Sequence, residues 1–192
     1  MSGRPGAGLM RSSHFMDRVL VLGGCGAGKS VFARRLGASI DAPVIHLDAE
    51  YFQPGWIEPE PAAWHARLME MVRAPRWVMD GHNNTLALRL PYADTAIVLD
   101  LPTWLCLARV LLRIARNYGR VRADMAPGCP ERLDPEFILY AARYRKDINQ
   151  RMFAQLEAFS GQVVVLRSRR EIEAFLSARA DPARRSVRKA AM

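Results

Sequence analysis

The feature that most constrains the fold is a glycine-rich segment at residues 23–30, GGCGAGKS, which matches the whole pattern G-x-x-x-x-G-K-[ST]. The apolar run 19–22 precedes it, as a buried parallel strand would, and a helical pattern follows over residues 31–36. A strand, a glycine loop and a helix in this order direct consecutive backbone N–H groups at one anion. The sequence therefore predicts a phosphate-binding loop at one edge of a parallel sheet.

A loop of this kind predicts a nucleoside triphosphate and Mg²⁺ as ligands. The Lys29 ammonium would reach the β- and γ-phosphates, and the Ser30 hydroxyl would bind Mg²⁺. Two interpretations of Cys25 stay open: a small residue that fills the loop, and a thiol activated by the helix N-terminus and sensitive to oxidation. The residues expected to contact the nucleotide phosphates are Gly23, Gly24, Cys25, Gly26, Ala27, Gly28, Lys29, Ser30 and Val31.

Length and composition favour one compact α/β domain with a small inserted lid, because 192 residues with 50% apolar content suffice for one full core. We expect this domain at residues 17–178, between a flexible arm at 1–16 and a disordered basic tail at 179–192. The formal net charge of +9 favours anionic ligands without choosing among nucleotides, nucleic acids and membrane surfaces.

The cysteines and the apolar segments bear on the compartment. Three widely spaced cysteines argue against a disulfide framework or a zinc site, and residues 1–16 lack the apolar stretch of a signal peptide. No segment has the length of a transmembrane helix. We expect a cytoplasmic protein with no membrane partner, and the sequence leaves its oligomeric state open.

Alternating apolar runs and helical patterns predict a parallel sheet with helices on both faces. Besides the strand before the loop, the predicted strands are 43–48, 77–81, 95–100 and 163–166, and the predicted helices are 61–73, 103–118, 136–159 and 170–178.

Three of these strands end in an acid, at Asp48, Asp80 and Asp100. Ligands of open α/β sheets bind beyond the carboxyl ends of the strands, so we expect these carboxylates beside the phosphate loop as a metal and acceptor site. One of the three is expected to be structural. We assign that role to Asp100, which would cap the helix that starts near Thr103.

Two arginine-rich segments flank an excursion at residues 124–135 that contains Pro and Gly. We interpret them as the hinges of a lid at about 113–146, which would neutralise a transferring phosphoryl group and exclude water. A solvated basic face and a nucleic-acid contact are the alternatives. The basic residues are Arg109, Arg113, Arg116, Arg120 and Arg122 in the first segment and Arg143, Arg145 and Lys146 in the second.

The order and spacing of several short motifs resemble the adenylate-kinase-like P-loop proteins and, within them, the bacterial topology modulation proteins. The resemblance covers most of residues 18–178 and implies a three-layer α/β/α fold, with a five-stranded parallel sheet of order 2-3-1-4-5 and a lid between the fourth and fifth strands. The motifs are HLD at 46–48, QPGW at 53–56, WVMDG at 77–81, LDLPTWLC at 99–106, GCPE at 128–131 and LRSRRE at 166–171.

The resemblance also implies roles for individual residues. Asp80 would be the acid associated with Mg²⁺. Four arginines would act on the phosphates, and two residues after the last strand would lie near an adenine ring. The arginines are Arg109, Arg113, Arg143 and Arg145, and the two residues are Arg167 and Ser168.

Two departures bear on the acceptor. Nucleoside monophosphate kinases follow Asp-Gly with Phe-Pro-Arg, whereas His82-Asn83-Asn84 follows Asp80-Gly81 here, so an acceptor phosphate loses an expected partner. Conversely, the segment 48–54 resembles the acidic segment of uridine and nicotinamide riboside kinases, which implies that Asp48 activates a hydroxyl.

Aromatic and histidine side chains are candidates for walls of an acceptor pocket. We favour His82, directly after Asp80-Gly81, and assign His46 to the core. His65 is left open and Trp56 is a candidate. Trp64 recurs at helical spacing with Leu68, Met71 and Val72, which predicts a core position.

The sequence thus favours an ATP- and Mg²⁺-dependent kinase acting on an unidentified small hydroxyl- or phosphate-bearing acceptor. The alternative is an ATP-binding regulator of the topology modulation type, with DNA contacted through the basic tail, although no helix-turn-helix or RNA-binding motif is present. A GTP-driven switch is disfavoured because the guanine-reading Asn-Lys-x-Asp run is missing.

Overall fold

The structure is a computed structural model that describes residues 16–81 and 83–180. His82 and most of the predicted arm and tail lie outside the described residues. Met16 is buried in the core, and the last helix includes Arg179 and Ala180.

Five parallel strands form one sheet in the order β2-β3-β1-β4-β5, which confirms the predicted topology. Their runs of Val, Ile and Leu suit strands covered on both faces. The strands are β1 (Arg18–Gly23), β2 (Val44–His46), β3 (Trp77–Asp80), β4 (Thr95–Leu99) and β5 (Gln162–Leu166).

Eight α-helices connect and cover the described strands, with two short 3₁₀ turns at Asn83–Thr85 and Leu90–Tyr92. The helices are α1 (Lys29–Ile40), α2 (Leu47–Tyr51), α3 (Pro61–Val72), α4 (Leu86–Arg89), α5 (Thr103–Asn117), α6 (Pro135–Asp147), α7 (Asn149–Glu157) and α8 (Arg169–Ala180).

Apolar side chains fill both faces of the sheet. On one face Phe32 and Leu36 of α1 meet Leu176 of α8, and on the other Trp64 and Leu68 of α3 pack with residues of α7. Trp64 is 4% exposed, which confirms its predicted core position.

The limits of two predicted elements are wrong in a way that affects the site. The helix expected over 136–159 divides at Ile148 into α6 and α7, and the break brings the buried Asn149 amide to Asp100. The strand expected over 43–48 ends at His46, so Asp48 lies in the first turn of α2. Neither boundary carries a Pro or Gly that would have marked it in the sequence.

Candidate phosphate-binding site

The phosphate loop joins β1 to α1, as the sequence predicts. Gly26 has φ 80°, and a Cβ built there would lie 2.2 Å from the Cys106 carbonyl oxygen, so only glycine fits. Gly28 precedes α1 with φ 94° and supplies no side-chain cap, which leaves the first N–H groups of the helix directed at the loop.

Lys29 folds back over its own loop. Its Nζ donates to the carbonyl oxygens of Gly23 and Gly24, at 2.9 and 3.0 Å. The ammonium therefore lies over the loop, where it can exchange these neutral acceptors for phosphate oxygens. Val31 is exposed in the first turn of α1.

Cys25 is not an activated thiol in this structure. Burial raises the pKa of its thiol, and the nearby Lys29 ammonium only partly offsets that rise. The described geometry therefore favours the interpretation of Cys25 as a small residue that fills the loop.

Two of the strand-end acids come together beside β3. Asp80 is 3% exposed, and its Oδ1 lies 2.5 Å from Nδ1 of His46, which precedes α2 on the neighbouring strand. This hydrogen bond raises the pKa of His46 against the opposing effect of burial. Asp48 lies across Gly81, because a Cβ on Gly81 would be 3.0 Å from Asp48 Oδ1.

Arg89 of α4 was not singled out from the sequence, yet it is fully buried behind these acids. Its Nε donates to the Thr85 carbonyl oxygen at 3.3 Å. Burial lowers the pKa of Arg89 to about 10, while the charges of Asp48 and Asp80 oppose that shift. The one signal in the sequence was an arginine inside the otherwise apolar segment 86–90.

The third strand-end acid does not cap a helix. Pro102 precedes α5 and no side chain caps that helix, so the capping predicted for Asp100 is wrong. Its carboxylate instead accepts a hydrogen bond from Asn149 and lies 3.8 Å from Arg145 and from Arg167, so it is engaged by groups from other elements.

The lid loop, which we define as residues 118–134 between α5 and α6, is held by Glu131. This carboxylate is 5% exposed and binds Arg113 at 3.1 Å and Arg122 at 2.8 Å. Arg122 also binds Asp124, at 3.2 Å. Two of the predicted lid arginines are therefore paired within the lid and its hinge.

Asp124 is a second residue that the sequence did not reveal. Burial favours its neutral form, but the Arg122 guanidinium and a hydrogen bond from Ser30 hold its pKa below the usual value. The lid loop thus reaches the hydroxyl expected to bind Mg²⁺.

The lid loop also contacts the segment after α2. Trp56 Nε1 donates to the Pro130 carbonyl oxygen at 3.1 Å, and the Gly55 N–H donates to Gly128 at 2.9 Å. Trp56 has φ 64°, which is a strained conformation for a bulky side chain. Trp56 therefore joins this segment to the lid loop.

Four further residues considered for the site are Arg109, Arg143, Ser168 and His65. The Ser168 hydroxyl accepts a hydrogen bond from the Glu171 N–H at 3.2 Å and donates one to the Glu171 carboxylate at 2.9 Å. These contacts form a capping box at the start of α8. Arg109 is half-buried on α5, whereas Arg143 on α6 and His65 on α3 are exposed.

The described residues hold no group of three or more His, Cys, Asp or Glu side chains that would bind a metal by themselves. Mg²⁺ in nucleotide sites uses one or two protein oxygens and completes its shell with phosphates and water. Ser30 and Asp80 supply oxygens of that kind at the same edge of the sheet, so they fit the ion. Within the described ranges no helix is long and apolar enough to span a membrane.

Comparison with solved structures finds several kinases with a similar fold. The shikimate kinase from Acinetobacter baumannii, in complex with shikimate, has a TM-score of 0.52 and 14% identity over 86% of this chain and 91% of that chain. The shikimate kinase from Bacteroides thetaiotaomicron has a TM-score of 0.49 and 15% identity over 85% and 96%. The deoxyadenosine kinase from M. mycoides with bound dATP has a TM-score of 0.47 and 14% identity over 83% of this chain and 97% of that chain.

At these identities the likeness shows the fold alone, and the predicted fold class is confirmed. No protein-family model matches the chain, and a search of curated proteins finds no match. The finer resemblance to topology modulation proteins therefore stays a prediction.

Proposed function

We propose that the protein is an ATP-dependent kinase that transfers a γ-phosphoryl group to the hydroxyl or phosphate of a small acceptor. The observation that carries the proposal is one sheet edge that bears the phosphate loop, with Lys29 over it, and the carboxylates of Asp48 and Asp80. The fold shared with the shikimate kinase from A. baumannii supports the reaction class. ATP rather than GTP rests on the sequence resemblance.

The donor side of the proposed site would bind the negatively charged phosphates of ATP. Loop N–H groups and Lys29 would hold the β- and γ-phosphates, and Ser30 with Asp80 would hold Mg²⁺, which neutralises charge on the transferring group. Asp80 is kept in place for this by His46. The half-buried Arg109 and the exposed Arg143 would add positive charge as the phosphates bind.

The acceptor side positions an oxygen. The acceptor oxygen bonds to the γ-phosphorus as the bond from that phosphorus to the β–γ bridging oxygen breaks, and ADP leaves. We assign Asp48 to bind the acceptor hydroxyl and take its proton, because its carboxylate lies at the open edge beside Gly81. A loose transition state needs little deprotonation, so orientation is the larger part of this role.

The test is ATP consumption measured against a panel of nucleosides, nucleoside monophosphates, small sugars and vitamins. We expect one class of acceptor to raise ADP formation, and Lys29→Ala to abolish the increase by removing the phosphate-binding ammonium. ATP consumption that no acceptor changes, or that Lys29→Ala leaves intact, would contradict the proposal.

A further inference from the structure

Asp100 occupies a fixed position next to the phosphate loop. It follows β4, whose last residue Leu99 is in register with Gly23. Its side chain is 10% exposed, and its Oδ1 accepts from Asn149 Nδ2 at 3.2 Å. Asn149 is itself 9% exposed, so both partners of this bond are largely removed from water.

Two arginines from different parts of the chain converge on the same carboxylate oxygen. Arg145 Nη2 and Arg167 Nε each lie 3.8 Å from Asp100 Oδ2. Arg145 belongs to α6, the helix after the lid loop, and Arg167 follows β5. Their side chains are 57% and 66% exposed, so without an anchor each would sample many rotamers.

Asp100 and Arg145 line a cavity next to the phosphate loop. A cavity of about 20 Å³, wide enough for one water molecule, is lined by Gly24, Cys25, Asp100, Arg145 and Asn149. Arg145 therefore lines the same small cavity as Gly24 and Cys25 of the phosphate loop.

We propose that Asp100 is a positioning residue, which holds Arg145 and Arg167 beside the phosphate loop so that both are in place when nucleotide phosphates bind. The inference rests on the proposed triphosphate binding at that loop. It also links α6, and with it the lid loop, to the edge of the sheet through one carboxylate.

The proposal and simple charge repulsion predict opposite changes in ATP affinity when Asp100 is neutralised. As an isolated anion near the site, Asp100 would repel phosphates, and its neutralisation would strengthen ATP binding. As the anchor of two cations, it favours phosphate binding, and its neutralisation weakens ATP binding. Because the two effects have opposite signs, one affinity measurement separates them.

The experiment is calorimetric titration with Mg²⁺ and ATP of the wild type and Asp100→Asn, which keeps the size of the side chain and an oxygen for Asn149. We expect the dissociation constant to rise about fivefold, as for two partly exposed ion pairs. In the Arg145→Gln/Arg167→Gln background the same substitution should change it less than about twofold. Equal or tighter binding in the first comparison, or a full fivefold loss in the second, overturns the proposal.

Controls separate positioning from folding and from the proposed function. Asp147→Asn removes an exposed acid of the same helix and should bind ATP like the wild type. If Asp100→Asn fails to fold by circular dichroism, Arg145→Gln and Arg167→Gln decide, and unchanged affinity in both overturns the proposal. Failure of the proposed function appears differently, as a wild type that binds ATP no better than Lys29→Ala, and this inference then falls with it.

Discussion

At the scale of single residues, the proposed function assigns the acceptor chemistry to Asp48. We expect Asp48→Asn to lower the turnover number about 100-fold, because the acceptor oxygen loses the group that orients it and takes its proton. The dissociation constant for ATP should change less than about threefold, since the role assigned to Asp48 is to bind the acceptor and not the phosphates of ATP. Single-turnover kinetics with the acceptor found in the screen, alongside calorimetry, measure the two effects.

The matched control is Asp41→Asn, an exposed acid after α1 whose φ of 56° suits asparagine equally well. It should leave both constants unchanged. Turnover that is retained in Asp48→Asn would remove Asp48 from the acceptor site.

Substitution of Ser168 tests whether this residue contacts the nucleotide, as predicted from the sequence resemblance, or only caps α8. Its hydroxyl is already engaged with Glu171 at the start of α8, so Ser168→Ala should lower the free energy of unfolding by about 1 kcal/mol. ATP affinity should stay within about twofold of the wild type. Urea unfolding and calorimetry give the two numbers. A loss of ATP affinity without a loss of stability would restore the predicted contact near adenine.

At the scale of elements, the strands and helices that follow from repeating apolar patterns could be predicted from the sequence. The roles of residues that depend on contacts between distant elements could not. The strands around the phosphate loop follow from apolar runs, and Trp64 follows from helical spacing. Asp100 and Arg89 do not, because the side chains around Asp100 and the acids near Arg89 come from other elements. In the sequence a strand-end acid looks like a helix cap. In the structure Asn149 reaches Asp100 from the break between α6 and α7, Arg145 from α6, and Arg167 from the end of β5.

The lid loop provides the prediction at this scale. Glu131 is a nearly buried carboxylate that neutralises two arginines, so Glu131→Gln leaves both without their main counter-charge. We expect amide hydrogen exchange to become about tenfold faster at Gly119 and Glu131, whose N–H groups close this loop in the wild type.

Hydrogen exchange followed by mass spectrometry of peptides that cover 118–134 measures this opening. Glu136→Gln, an exposed acid in the first turn of α6, is the control and should not alter exchange. Unchanged exchange in Glu131→Gln would mean that the contacts of Trp56 and Gly55 hold the lid loop without the ion pairs.

At the scale of the whole molecule, the basic residues fall into two groups that suit different anions. Arginines near the phosphate loop converge on acids of the fold, whereas the sequence places Arg184, Arg185, Arg188 and Lys189 after the last described helix. The first group suits a small anion in a defined position. The second suits nonspecific attraction to polyanions.

Deletion of residues 181–192 tests which use describes the protein. We expect ATP affinity and acceptor-stimulated ATP consumption to be unchanged, because the phosphate loop and its acids lie in the remaining fold. Any affinity for duplex DNA should fall, and the slope of log affinity against log salt should become shallower by about three, as expected when up to four phosphate contacts are lost. Fluorescence anisotropy at several salt concentrations measures that slope. A truncated protein that still prefers one DNA sequence, and whose DNA affinity responds to ATP, would favour the regulator over the kinase, since specific recognition would then reside in the fold itself.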